Sequence, residues 1–140
     1  MKIMICGSMT FSKQMVQVKK KLEKLDHIVS LPRDIEIHLD NPSFIDDFEK
    51  NHHHAVKTDI MRKCFQLVAE NEAILVLNYP KNGVRGYIGT SSLMEIGLAH
   101  YLGKKIFLLN EVPQPLKARW AHEVRIIQPV ILHGNLETIR

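Results

Sequence analysis

Five consecutive apolar residues, Ala73-Ile74-Leu75-Val76-Leu77, stand between the polar pair Asn71-Glu72 and Asn78. The run is too short for a buried helix and shows no polar alternation, so it reads as a strand with both faces shielded from water. Such a strand belongs in a parallel sheet with helices on both sides. Parallel neighbours must be joined by crossovers of about a dozen residues or more, usually helical, so this one segment constrains the rest of the chain.

The remaining segments supply that pattern. Lys2 to Cys6 is a short apolar run closed by Gly7-Ser8, a first strand. Phe11, Met15, Val18, Leu22 and Leu25 follow at helical spacing with lysines opposite. His27 to Leu31 reads as a second strand, stopped by Pro32. Arg33 to Asn51 is polar and contains Pro42, Asp46, Asp47, Glu49 and Lys50; it reads as a long loop with one helical turn, and such loops are usually functional or mobile. Val56, Ile60, Cys64, Leu67 and Val68 mark a second helix leading into the central strand. A glycine-punctuated loop from Asn78 to Gly89 precedes a third helix over Ser92 to Leu102, closed by Gly103. Lys105 to Leu109 is the next strand, Leu116 to Glu123 a weaker helix, Pro129 to Leu132 a last strand, and Asn135 to Arg140 a terminal helical turn. The alternation predicts a single α/β domain over residues 1–140: a three-layer α/β/α sandwich on a five-stranded parallel sheet, flavodoxin-like or Rossmann-like.

Composition narrows the function classes. The 140 residues are 45% hydrophobic and 24% charged, a globular balance that argues against disorder. No apolar run approaches the ~18 residues of a membrane helix, and the N-terminal run reads as a strand and not as a secretion signal. No membrane partner and a cytoplasmic location are therefore expected, with Cys6 and Cys64 reduced and buried. The net charge of +4 is concentrated at Lys19, Lys20, Lys21 and Lys24, on the polar side of a helix, so no nucleic-acid polymer is expected as partner. His52, His53 and His54 are consecutive and point in different directions, so no metal site is expected there.

In sheets of this type ligands bind beyond the carboxyl ends of the strands. Two loops fall there. Gly7-Ser8-Met9-Thr10 follows the first strand; it lacks both the G-x-G-x-x-G and the G-x-x-x-x-G-K-[ST] spacing, so no dinucleotide or nucleoside triphosphate site, and no cofactor, is indicated. Asn78 to Ser92 follows the third strand; its glycines allow close backbone approach, and Thr90, Ser91 and Ser92 open a helix suited to an anion. Glu95 lies in that helix, which is apolar nearly all round through Leu93, Met94, Ile96, Leu98 and Ala99. Two roles fit its position: a nucleophile or base beside the ligand loop, or the acidic partner of a Ser92-x-x-Glu95 capping box. Asp59, followed by Arg62 and Lys63, reads on spacing as a surface ion pair.

Cys6-Gly7-Ser8-Met9 after the first strand, together with Ile88-Gly89-Thr90-Ser91-Ser92-Leu93-Met94-Glu95-Ile96-Gly97-Leu98-Ala99, resembles the two hallmarks of the deoxynucleoside monophosphate N-glycosidases, grouped with the nucleoside 2-deoxyribosyltransferases. The resemblance implies retaining attack on an N-glycosidic bond with Glu95 as nucleophile. The glycosyl ester would be released by water or by a second base, and a 2-deoxy sugar would be the easier substrate. Where the family carries Asp or Ser before the nucleophile this chain has Gly89, and at a helix Asp of the family it has Phe65. Asp59 is the second carboxylate that could substitute as a catalytic group, and Asn78 and Asn82 could supply the missing sugar contacts. The substrate-binding set implied is Gly7, Ser8, Met9, Asn78, Asn82, Gly89, Thr90, Ser91 and Ser92, with a nucleoside or nucleotide as ligand and a homodimer as the assembly. The alternatives are a non-catalytic nucleotide sensor on the same fold and, with a weaker motif match at Gly86 to Thr90, a phosphoribohydrolase.

Overall fold

The computed structural model describes residues 1–140. Its five strands are β1 (Lys2–Cys6), β2 (Ile28–Ser30), β3 (Ala73–Val76), β4 (Lys105–Leu108) and β5 (Val130–Ile131). They form one sheet in the order β2-β1-β3-β4-β5, and every pairing is parallel. This is the doubly wound order of flavodoxin-like sandwiches. β3 is central, with Ile74 beside Met4 on one side and Ile106 on the other.

The pleat divides the apolar residues between two cores. Met4, Cys6, Ile74 and Val76 point to one face and pack with Cys64, Leu67 and Val68 of α4 (Ile60–Glu70) and Ile96 and Ala99 of α5 (Thr90–Tyr101). Ile3, Ile5, Leu75 and Leu77 point to the other and pack with Met15, Val18 and Leu22 of α1 (Ser12–Glu23). Continuous apolar runs in β1 and β3 are thus explained: each strand feeds both layers.

The stretch between β2 and β3 departs from expectation. Arg33 to Asn51 is no plain loop: it holds α2 (Ile35–Asp40), a 3₁₀ segment (Pro42–Asp46) and the start of α3 (Phe48–Thr58). Ile35 and His38, one turn apart, are buried and anchor α2. The single helix expected over Val56 to Val68 is two helices, α3 and α4, broken at Asp59 in the left-handed conformation (φ 51°, ψ 43°). The break lets α4 turn its apolar stripe onto the sheet, while α3 buries no residue. The last helix also lies later than expected: α6 spans Ala121–Ile127, because Ala121 and Val124 reach the core whereas Leu116 is fully exposed. No helix is long and apolar enough to cross a membrane.

Candidate active site

The chain leaves β1 toward β2 at the sheet edge and returns to β3 on the other side of β1. Loops therefore diverge at the carboxyl ends of β1 and β3, which opens a crevice there. A cavity of about 180 Å³ occupies it. Its floor is Cys6 and Gly7, with Met9 beside them; Ser91 and Glu95 come from α5; Ile60, Met61, Cys64 and Phe65 come from α4. The opposite wall is Pro32, Asp34 and His38, then Ile45, Asn51 and Ala55. Gly7 sits where a side chain would be strained and crowded: its φ is +154°, and a Cβ would meet Leu77 O and Met15 Cε at 3.3 Å.

Glu95 stands out energetically. It is 9% exposed, and its Oε2 has no hydrogen-bond partner. Burial pushes its carboxyl up to about 7, against a weaker opposite pull from a hydrogen bond with the Cys6 thiol. The same environment raises Cys6, first through burial and then through the charge of Glu95. Burial likewise raises Cys64 to about 11, so neither thiol offers a ready thiolate nucleophile. Nor is Glu95 a cap: α5 begins after Gly89, which makes no side-chain capping bond, so Ser92 lies inside the helix and the capping box is not formed. A buried carboxylate with no cation beside it and no capping role is a cost to folding, the signature of a functional group.

The opposite wall holds a second polar group. Asp34 Oδ2 lies 3.4 Å from His38 Nε2 and 3.5 Å from His54 Nε2. The Phe44 ring packs edge-on against both imidazoles, at 5.3 and 5.4 Å between centroids. His38 is 4% exposed, and its Nδ1 has no partner. The chain leaves three buried side-chain polar atoms unpartnered: Glu95 Oε2, His38 Nδ1 and His54 Nε2. Two belong to residues lining the cavity, and the third faces Asp34, which lines it too. Buried polar atoms are nearly always satisfied in a folded chain, so their gathering around one hollow makes it the candidate ligand site. These groups do not assemble into a metal-holding cluster.

The structure brings some of the expected residues together and separates others. Gly7, Met9, Ser91 and Glu95 line the cavity. Ser8 is not among the residues lining the cavity; its hydroxyl accepts from Lys81 Nζ (2.9 Å) and from Thr10 N (3.3 Å). Gly89 and Thr90 open α5 beside Ser91, and Ser92 is buried one residue further in. Asn78 is fully buried and spent on structure: its amide donates to Asn110 O (2.7 Å) and accepts from Asn110 N (2.8 Å), tying the ends of β3 and β4 together. Asn82 is on the surface in a tight hairpin with Gly83, both at positive φ, whose Lys81 and Val84 exchange backbone bonds. Asp59 is outside the cavity, 61% exposed and paired with Arg62 at 2.9 Å. Of the histidine triplet, His54 turns inward to Asp34 while His52 and His53 are exposed.

Sequence reasoning missed Asp34 and His38. Their signal was present: an Asp four residues before a His, with Ile35 one helical turn behind His38. The polar composition and Pro42 around them masked it.

No protein-family model matches the chain, and no curated protein matches it. Among solved structures it is similar to the CMP N-glycosidase BcmB of Clostridium botulinum, at 18% identity and a TM-score of 0.50 over 95% of this chain and 90% of that one. The two chains share their fold, a parallel α/β sandwich, whose carboxyl edge in this chain holds the buried Glu95.

Proposed function

We propose that the chain cleaves the N-glycosidic bond of a nucleoside or nucleoside 5′-monophosphate, with Glu95 as the nucleophile. The observation that carries this reading is the Glu95 carboxylate itself: buried on the cavity wall, with a free Oε2, no counter-cation and no capping role. In the first step Glu95 attacks the anomeric carbon as the bond to the base breaks, and the electron pair leaves with the base. Water or a second base then displaces the sugar from the ester and restores the carboxylate. The poorly solvated carboxylate suits attack on a carbon that gains positive charge in the transition state. The shared fold with a CMP N-glycosidase supports a nucleotide-sized ligand at this edge.

The test is a base-release screen over nucleosides and nucleoside monophosphates, run with the parent and with Glu95→Gln. The expected result is base release by the parent and its loss in the variant. Binding of a nucleotide by both proteins without base release from either would replace this reading with the sensor reading. Trapping a sugar ester on Glu95 with a slow 2-fluoro analogue would establish the covalent step.

A further inference from the structure

A nucleophile alone does not cleave a bond to a nucleobase, because the base leaves poorly as an anion. It leaves readily once a ring nitrogen or carbonyl oxygen accepts a proton. The cavity offers a group for that proton on the wall facing Glu95. Asp34 and His38 both line it, and His38 is 4% exposed with an unpartnered Nδ1. A carboxylate can only accept, so the 3.4 Å approach of Asp34 Oδ2 fixes the proton of His38 on Nε2. That leaves Nδ1 as the ring nitrogen with no partner in the protein. α4 contributes apolar or weakly acidic neighbours here, Ile60, Met61, Cys64 and Phe65, and no carboxylate. The titratable groups that line the cavity with His38 are Asp34 on its own segment, Cys6 at the end of β1, Cys64 of α4 and Glu95 of α5; His54 of α3 stands behind Asp34, and the charge of Arg33 reaches Cys64.

From this juxtaposition we infer that His38 is the acid that protonates the departing base, with Asp34 as the positioning residue that holds its ring. The inference rests on the glycosidase reading above. The step balances without any further reagent. The Nδ1–H of the His38 imidazolium transfers its proton to the base, the C1′–N bond breaks toward the base, and the Glu95 oxygen bonds to C1′. When water opens the ester, its proton returns to His38 Nδ1 and the carboxylate is restored. His54 Nε2 lies 3.5 Å from Asp34 Oδ2 without a hydrogen bond, and His54 does not line the cavity, so no step is assigned to it.

Leaving-group activation tests this directly. The substrate found in the screen is compared with an analogue whose base departs without a proton: a 7-methylguanine nucleotide if the chain takes purines, a 5-nitrouracil one if it takes pyrimidines. His38→Gln keeps an amide N–H for Asp34 and removes the ring nitrogen proposed to deliver the proton. We expect it to slow release of the ordinary base by roughly 10²- to 10⁴-fold, and release of the activated base by less than about tenfold. Asp34→Asn should show the same contrast in weaker form, and it carries the test if the glutamine variant does not fold. Glu95→Gln should lose both substrates. Equal losses on both substrates in the His38 and Asp34 variants would overturn the inference while leaving Glu95 in place. A parent that releases neither base would overturn the glycosidase reading and this inference together.

Discussion

The two walls of the cavity are built in opposite ways. One is the sheet edge: Cys6 ends a strand buried on both faces, and Glu95 projects from α5, whose Ile96 and Ala99 are locked into the core. The other runs from Pro32 to Thr58 through short elements. In it α3 buries no residue, and Phe48 and Val56 are 81% and 68% exposed. The contrast teaches where precision is stored. The role proposed for Glu95 needs a rigidly held side chain, and the core supplies that rigidity. The facing wall is held by a few inward side chains, Ile35, His38 and Phe44, so it belongs to the part of the fold that opens most easily.

The largest effect that could break this comparison sits on the rigid wall. Glu95→Gln should reduce turnover by a factor on the order of 10⁴ or more, read as base released per minute. The same substitution should raise stability at alkaline pH. The Glu95 carboxyl is pushed from 4.5 to about 7 in the folded chain. Between those values the unfolded chain has given up a proton that the folded chain keeps, so stability falls as pH rises through the window and is flat above it. The fall amounts to about 3 kcal/mol at 1.36 kcal/mol per pH unit. Denaturant melts at pH 4 and pH 8 should show the parent losing that amount relative to Glu95→Gln. A parent and variant that stay parallel across the range would mean that Glu95 is solvated and the wall is not rigid.

The same contrast governs what could be read from the sequence. The sheet was legible because β1, β3 and β4 carry apolar runs of three or four residues bounded by polar or glycine residues, and Ala73 to Val76, apolar throughout, emerged as the central strand on that signal. Glu95 was legible as a carboxylate in an apolar helix; its rival role as a cap fell only when α5 proved to start before Ser92. The facing wall was not legible. Its helices are one to three turns long and held by tertiary contacts, so local periodicity is weak, and the left-handed turn at Asp59 splits an otherwise unbroken helical pattern. Asn78 looked like a ligand contact because it follows the central strand, but its partner Asn110 is 32 residues away and no local signal pairs them.

Next in size is a backbone effect on the loop that carries the chain into α5. Gly86 has φ +70°, and a Cβ there would lie 1.9 Å from Glu111 O. Gly86→Ala must therefore move the loop off the segment after β4, at a cost of roughly 2–4 kcal/mol. Because the loop leads directly to Gly89 and Ser91, base release should fall along with thermal stability. Gly83→Ala meets no atom within 4 Å and should cost only the strain of its positive φ, about 1 kcal/mol. Equal melting of the two variants would show that the loop is not docked where the rigid wall requires it.

The smallest expected effect concerns Asp59, the carboxylate that joins the two walls in sequence. It adopts φ 51°, its side chain is 61% exposed, and Arg62 takes its Oδ2 at 2.9 Å. An exposed pair of this kind contributes little, typically less than about 1 kcal/mol. Asn tolerates the left-handed conformation as well as Asp does. Asp59→Asn should thus leave both melting temperature and base release within experimental scatter of the parent, while Asp59→Val, β-branched in a left-handed site, should lower stability without a specific loss of rate per folded molecule. A large drop in turnover for Asp59→Asn at unchanged stability would place this carboxylate at the reacting centre. It would mean that the facing wall closes far enough on substrate to carry Asp59 from the surface to the cavity.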